Sequence, residues 1–168
     1  MKSAYTEIQK FNQWWLWILL LAVLGLPVYG LYQQLILGEP FGSKPMSDLG
    51  LVLFFVGTLL IIGLFWYLEL RTEIDETGIR VRLRPISSEV FTWDQIEHVE
   101  IITYGFVGYG LRFSSKYGTV YNTSGNRGLA IKLKSNSRYI IGTQNPEELK
   151  KTLLELKHSG IGLDLAGI

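Results

Sequence analysis

The sequence predicts an α+β membrane protein: a two-helix transmembrane hairpin followed by a small β-barrel or sandwich with a C-terminal helix. Three observations carry that expectation. Two long uncharged apolar runs occupy the first 68 residues, apolar and polar residues alternate with a period of two after them, and an amphipathic helix with clear end signals lies near the C-terminus. Only 18% of the 168 residues are charged, against about a quarter in an ordinary soluble domain. Residues 1–68 carry just Lys2, Glu7, Lys10, Glu39, Lys44 and Asp48, and residues 69–168 carry the other 25 charges.

The first run, Trp14 to Leu31, holds 18 residues without a charge, and Tyr32 to Leu37 extends it. The second, Leu49 to Leu68, holds 20. At a rise of about 1.5 Å per residue, twenty residues span roughly 30 Å, the thickness of a bilayer's hydrocarbon core. Both runs are apolar on every face, whereas a core helix of a soluble protein shows an apolar stripe. A cleaved signal peptide fits the first run poorly. The run is longer than an h-region of about 7–15 residues, and Tyr29, Tyr32, Gln33 and Gln34 stand where small cleavage-site residues belong. Helices at about 14–37 and 49–68 are therefore expected, the first kinked at Pro27.

The link from Gly38 to Asp48 (GEPFGSKPMSD) is short and rich in turn residues, which makes the helices antiparallel. Trp14, Trp15 and Trp17 begin the first helix and Trp66 and Tyr67 end the second, so a hairpin brings both groups to one interface. Tyr29, Tyr32 and Phe41 mark the opposite one. Lys2, Lys10, Arg71, Arg80, Arg82 and Arg84 lie on the side of the termini, against Lys44 in the link. The positive-inside rule then places both termini in the cytoplasm, in a multi-pass protein of the cell (inner) membrane.

Residues 69–168 read as a separate β-rich domain that begins directly after the second helix and so sits against the membrane surface. Leu70–Asp75 is a first strand and Glu76-Thr77-Gly78 a turn. Ile79, Val81 and Leu83 then alternate with Arg80, Arg82 and Arg84 as in a half-buried strand. Val90–Trp93, Ile96–Tyr104, Leu111–Phe113, Thr119–Tyr121, Leu129–Leu133 and Arg138–Ile141 follow, separated by turn residues, which suggests a sandwich or barrel of about seven or eight strands. The final helix has Asn145 as N-cap, Pro146 at its first position and Glu148 completing a capping box. Leu149, Leu153 and Leu156 form its apolar face, and Gly160 stops it.

This order of elements resembles bacterial membrane-anchored proteins with pleckstrin-homology-like (PH-like) domains. The residues that carry the resemblance are TEIDETGIRVRLRP (72–85), FTWDQI (91–96) and IGTQNPEEL (141–149), together with FNQWWLW, EPFGSKPM and GNRGLAIKL. It implies a PH-like β-barrel or sandwich. Relatives of the fold bind phosphoinositides or peptides, and the bacterial ones act in oligomerisation or protein contacts, so a homo-oligomer is one expectation. None of their ligand motifs is carried over.

Candidate sites follow from the charged and glycine-rich segments. Arg80, Arg82 and Arg84 share one strand face, where they can meet anionic lipid headgroups or pair with Glu73, Asp75 and Glu89 on neighbouring strands. Gly105 to Gly110 reads G-x-x-G-x-G, not the dinucleotide spacing. It is expected to be a strand connection whose Phe106 and Tyr109 can meet the interface or a membrane-protein partner. Gly125-Asn126-Arg127-Gly128 reads as a tight turn, with an anion nest including Arg127 as the competing reading. With no Cys and only His98 and His158, neither a thiolate nucleophile nor a three-histidine metal site can be built. No metal and no cofactor are expected. A net charge of +1 gives no bulk attraction to nucleic acid. The spans hold no ionisable residue, which argues against an autonomous transporter. The expected function is that of a non-enzymatic, membrane-anchored binding or scaffolding module, with an accessory subunit of a transporter or membrane enzyme complex as the alternative.

Overall fold

Alternation after Leu68 becomes strands, but the domain they build begins earlier in the chain. The computed structural model describes residues 4–105 and 107–161. It divides the chain into a unit made from the residues up to Phe11 together with those from Leu68 onward, and a second unit, Asn12–Tyr67.

In the second unit, α1 (Trp14–Leu31) runs through Pro27 and continues as one π-helical turn, Tyr32–Ile36. α2 spans Asp48–Tyr67. The 23 residues Trp14–Ile36 and the 20 of α2 are each long and apolar enough to cross a membrane. At one end of the pair the rings of Trp17 and Trp66 meet edge to face at 5.9 Å, and at the other Tyr29 meets Phe41 at 5.7 Å. Gly30 is required to be small: an added Cβ would lie 2.9 Å from the Phe41 ring and 3.1 Å from Leu51. Gln34 ties the link down by donating to the Met46 carbonyl and the Asp48 carboxylate.

The first unit holds, among the described residues, nine strands in two sheets and one helix. The first sheet has the order β1 (Tyr5–Lys10), β2 (Glu69–Asp75), β3 (Gly78–Arg84), β4 (Ser87–Thr92), all antiparallel. The second runs β5 (Ile96–Thr103), β8 (Arg127–Leu133), β9 (Arg138–Gly142), β7 (Gly118–Asn122), β6 (Gly110–Ser114), with β7 and β9 parallel. Among the described residues no ladder joins β4 to β5, so of the two expected forms the architecture is the sandwich.

The core follows from the alternation. Leu70, Ile74, Ile79, Val81 and Leu83 of the first sheet and Val99, Leu129, Ile131 and Ile141 of the second are almost wholly buried. The rings of Phe91 of β4 and Tyr139 of β9 meet at 4.7 Å, tilted by 54°, and the Ser87 and Tyr121 hydroxyls bond at 3.0 Å, tying sheet to sheet. α3 (Pro146–His158) buries Leu149, Leu153 and Leu156 as its spacing predicts, and ends at Gly160 with φ +96°.

Two expectations are corrected. The domain boundary at 68/69 is wrong for Tyr5–Lys10, which pairs in register with β2 from Tyr5↔Ile74 to Lys10↔Glu69. Its alternation is inverted: the inward residues are the polar Tyr5, Glu7 and Gln9, while Ile8 faces out. Hydrophobic periodicity has nothing to report there. The capping box is also absent. Asn145 occupies the N-cap but its side chain makes no capping bond. The corner is held instead by the Thr143 hydroxyl, which accepts from the Asn145 N–H at 3.1 Å, and by Glu7, which accepts from the Gln144 N–H at 2.7 Å.

Candidate functional site

Antiparallel register sorts the first sheet into two faces. The inner rows are Tyr5, Ile74, Ile79, Phe91, then Glu7, Thr72, Val81, Glu89, then Gln9, Leu70, Leu83, Ser87. The outer rows are Thr6, Glu73, Arg80, Val90, then Ile8, Arg71, Arg82, Ser88, then Lys10, Glu69, Arg84. The outer face thus carries five cations, Lys10, Arg71, Arg80, Arg82 and Arg84, against Glu69 and Glu73.

The three arginines of β3 do share one face, yet the structure treats them differently. Arg80 sits 3.1 Å from the Asp75 carboxylate and also donates to the Thr77 hydroxyl. Burial opposes the charge of Asp75 most strongly. Its hydrogen bonds from the Thr77 hydroxyl and the Thr77 and Gly78 N–H groups, with the Arg80 guanidinium, outweigh that and hold its carboxyl below the ordinary value. Arg84 lies 3.5 Å from Glu69, and Arg71, from β2, is 2.6 Å from Glu73. Arg82 and Lys10 have no ion pair among the described residues. Of the partners expected, Asp75 does take Arg80, whereas Glu73 takes Arg71 of its own strand, Glu69 takes Arg84, and Glu89 lies on the inner face, opposite Val81. Lys10 and Arg71 belong to the same surface. Sequence reasoning missed Lys10 there because β1 was not recognised as a strand.

One end of this face is distinctive. The row Lys10, Glu69, Arg84 is the last before the chain leaves β1 at Phe11 and re-enters β2 at Leu68. The β3–β4 turn lies at the same end, closed by the Ile86 N–H donating to the Leu83 carbonyl at 2.7 Å. It presents Ile86 at 56% exposure, and Ile8 in the next row is 52% exposed.

Behind the outer face, β1 clasps the second sheet through polar side chains. Glu7, 5% exposed, accepts from the Tyr5 hydroxyl at 2.6 Å, the Thr143 hydroxyl at 2.8 Å and the Gln144 N–H. Gln9 donates to the Gly142 carbonyl at 2.7 Å and accepts from the Thr123 hydroxyl at 2.7 Å. The Tyr5, Thr143 and Thr123 hydroxyls, the Gln144 N–H and the Gln9 amide each reach an acceptor, as a buried polar network requires. Burial, reinforced by the Glu7 carboxylate, pushes the Tyr5 hydroxyl up from its ordinary value. The arrangement is a structural weld whose acceptors are already committed.

The remaining candidates lie elsewhere. Arg127 starts β8 in the second sheet, 4.0 Å from Glu147 of α3. Tyr109 lies in the β5–β6 connection, which leads into a strand and not a helix, and Phe106 falls outside the described residues. In the Gly125–Gly128 segment, Gly125 takes φ +77°, while Gly128 already belongs to β8, where an added Cβ would lie 2.8 Å from the Ile141 carbonyl and 3.0 Å from the Tyr104 ring. The outer side of the second sheet carries a small apolar cluster, Tyr104, Val120 and Ile140. Burial pushes the Tyr104 hydroxyl up to about 12. Next to this cluster runs a groove of about 210 Å³ rimmed by His98, Glu100, Lys116, Tyr117, Lys132 and Arg138. Lys132 is committed to Glu97 at 2.8 Å. His98 stands 4.0 Å from Glu100, and no metal-ligating group of three forms among the described residues.

These positions fall into three places: the basic outer face of the first sheet, the β5–β6 connection, and the β8–α3 corner. No family model matches the chain, and a search of the curated proteins finds no match.

Proposed function

We propose that this chain is a two-pass inner-membrane protein with both termini cytoplasmic, whose sandwich is a PH-like, non-catalytic binding module. The observation that carries the reading is the β1–β2 register across the apolar hairpin. Residues 5–10 and 69–75 share one sheet, so they stand on the same side of any bilayer, and the chain between them crosses it an even number of times. Two helices of spanning length fill that interval. The aromatic pairs at the two ends of the hairpin suit two headgroup layers. Lys10, Arg71, Arg80, Arg82 and Arg84 put the cationic bias on the side of the sandwich.

Binding is the role the surfaces favour. The outer face of the first sheet has cations in excess, while the buried carboxylate Glu7 is consumed by the fold. Reporter fusions test the topology. A reporter active only outside the cytoplasm should work when fused after Gly42 and stay silent after Ile168. Activity at Ile168, or silence at both sites, would overturn the reading.

A further inference from the structure

We propose that the corner of the first sheet formed by Lys10, Arg82, Arg84, Ile8 and Ile86 is a docking surface for the anionic headgroups of the membrane the hairpin spans. The proposal rests on the membrane reading above and deepens it by naming what the basic face meets. Three observations converge on this corner. First, it is where the chain leaves and re-enters the sheet, so covalent geometry limits its distance from lipid. Glu69 is two residues past Tyr67 and Lys10 four before Trp14, tethers of at most about 7 and 14 Å. An anionic membrane's surface potential persists over about 8 Å at physiological ionic strength, a reach comparable with the shorter of these tethers.

Second, its charge is available. Of the five cations on the outer face, Arg71 is held by Glu73 and Arg80 by Asp75. Lys10 and Arg82 have no ion pair among the described residues, and Arg84 has only the longer 3.5 Å contact with Glu69. Third, two exposed isoleucines share this end of the sheet with the cations: Ile8 at 52% exposure and Ile86 at 56%. Headgroup contact satisfies both kinds of residue at once, the cations on phosphate and the isoleucines at the acyl boundary. A protein partner would leave unexplained why the surface lies at the tethered end. The groove on the second sheet has no such link to the hairpin.

The chain has no cysteine, so the test can use single-cysteine variants of the full-length protein. A fluorescent label at I86C is read for quenching by acrylamide in lipid nanodiscs that are zwitterionic or contain acidic phospholipid. Quenching should fall by at least half in acidic discs. The protection should disappear at 1 M salt, where the screening length is about 3 Å, and in the Lys10→Gln, Arg82→Gln, Arg84→Gln triple variant. Fluorescence of Trp93, inside the sandwich, shows whether that variant is folded. A label at F113C, on the second sheet where Phe113 is 81% exposed, should be quenched equally in both discs. A label at I61C, within α2, separates the two readings. If it is freely quenched, the membrane reading fails and takes this proposal with it. If it is protected while I86C is quenched alike in both discs, docking alone is overturned. Protection of I86C that is equal in both discs, or that survives the triple variant, would also overturn it.

Discussion

Replacing Glu7 by Ala probes the join between the N-terminal strand and the rest of the sandwich. Its carboxylate accepts three hydrogen bonds, from the Tyr5 hydroxyl, the Thr143 hydroxyl and the Gln144 N–H, at 2.6 to 2.8 Å. Bonds to a charged acceptor contribute roughly 1.5–3 kcal/mol each, but the three losses do not add in full. Removing the carboxylate relieves its own burial, the Tyr5 and Thr143 hydroxyls already stand 3.4 Å apart and can pair, and water can reach the part-buried Gln144 N–H. A net loss of about 3 kcal/mol is expected, or roughly 12–24 °C in melting midpoint for a domain near 100 residues. Four of the five tryptophans lie in the helices, leaving Trp93, whose indole N–H donates to the Asp75 carbonyl at 3.0 Å, as the sandwich's own reporter. Urea unfolding of the full chain in detergent, followed by Trp93 fluorescence, measures the effect. Glu7→Gln keeps one acceptor oxygen but turns an amide donor toward other donors, so about half the loss is expected. If Glu7→Ala unfolds within about 0.5 kcal/mol of the parent, as an ordinary surface change does, the reasoning about the clasp is refuted.

Leu153→Ala, at a fully buried position of α3, should cost about 2–5 kcal/mol; an unchanged urea midpoint would mean that the helix face is not part of the core. Asp75→Asn tests the sign of a pH dependence. The folded carboxyl titrates below its unfolded value of about 3.9, so its contribution is complete above that pH and is lost as pH falls through the lower folded value. The parent's stability advantage over the variant should therefore be largest near neutrality and shrink below about pH 4; an advantage independent of pH would contradict the assignment. Replacing Asn12–Tyr67 by Asn-Gly should give a water-soluble, cooperatively folding sandwich, because Lys10 and Glu69 already pair and a two-residue turn can join such strands. The segment 69–168 alone should unfold at lower urea than that joined chain, and equal midpoints would show β1 to be dispensable.

Most of the architecture was legible because its signals are local. Arg80, Arg82 and Arg84 alternating with Ile79, Val81 and Leu83 announce a strand without any knowledge of the partner. The uncharged runs announce their helices by length alone. Asn145, Pro146 and Gly160 mark both ends of α3, although the cap bond itself went to Thr143 and Glu7, which lie far apart in sequence. β1 was not legible, because its inward residues are hydrogen-bonding side chains that satisfy groups on another sheet, and alternation analysis scores such residues as outward. The surface suffered in turn. Without β1, Lys10 and Ile8 have no place beside Arg82, and without register Arg80 and Arg82 look equivalent. The structure distinguishes them by Asp75, which reaches Arg80 alone.

The central claim is that one sandwich is built from chain on both sides of an apolar hairpin, and a cross-strand disulfide tests it most directly. Ile8 and Arg71 face each other in the β1–β2 register, whereas Ser88 lies in the same row two strands beyond Arg71. Directly opposite residues have Cβ atoms about 4.5–5.5 Å apart, close to what a disulfide needs. Ile8 and Ser88, three strand spacings apart, are separated by roughly 14 Å. In the full-length protein in a bilayer, mild oxidation should cross-link the Ile8→Cys, Arg71→Cys pair, seen as a shift in gel mobility that a reductant reverses. The Ile8→Cys, Ser88→Cys pair should stay open. Cross-linking of the second pair as readily as the first, or of neither, would contradict the account.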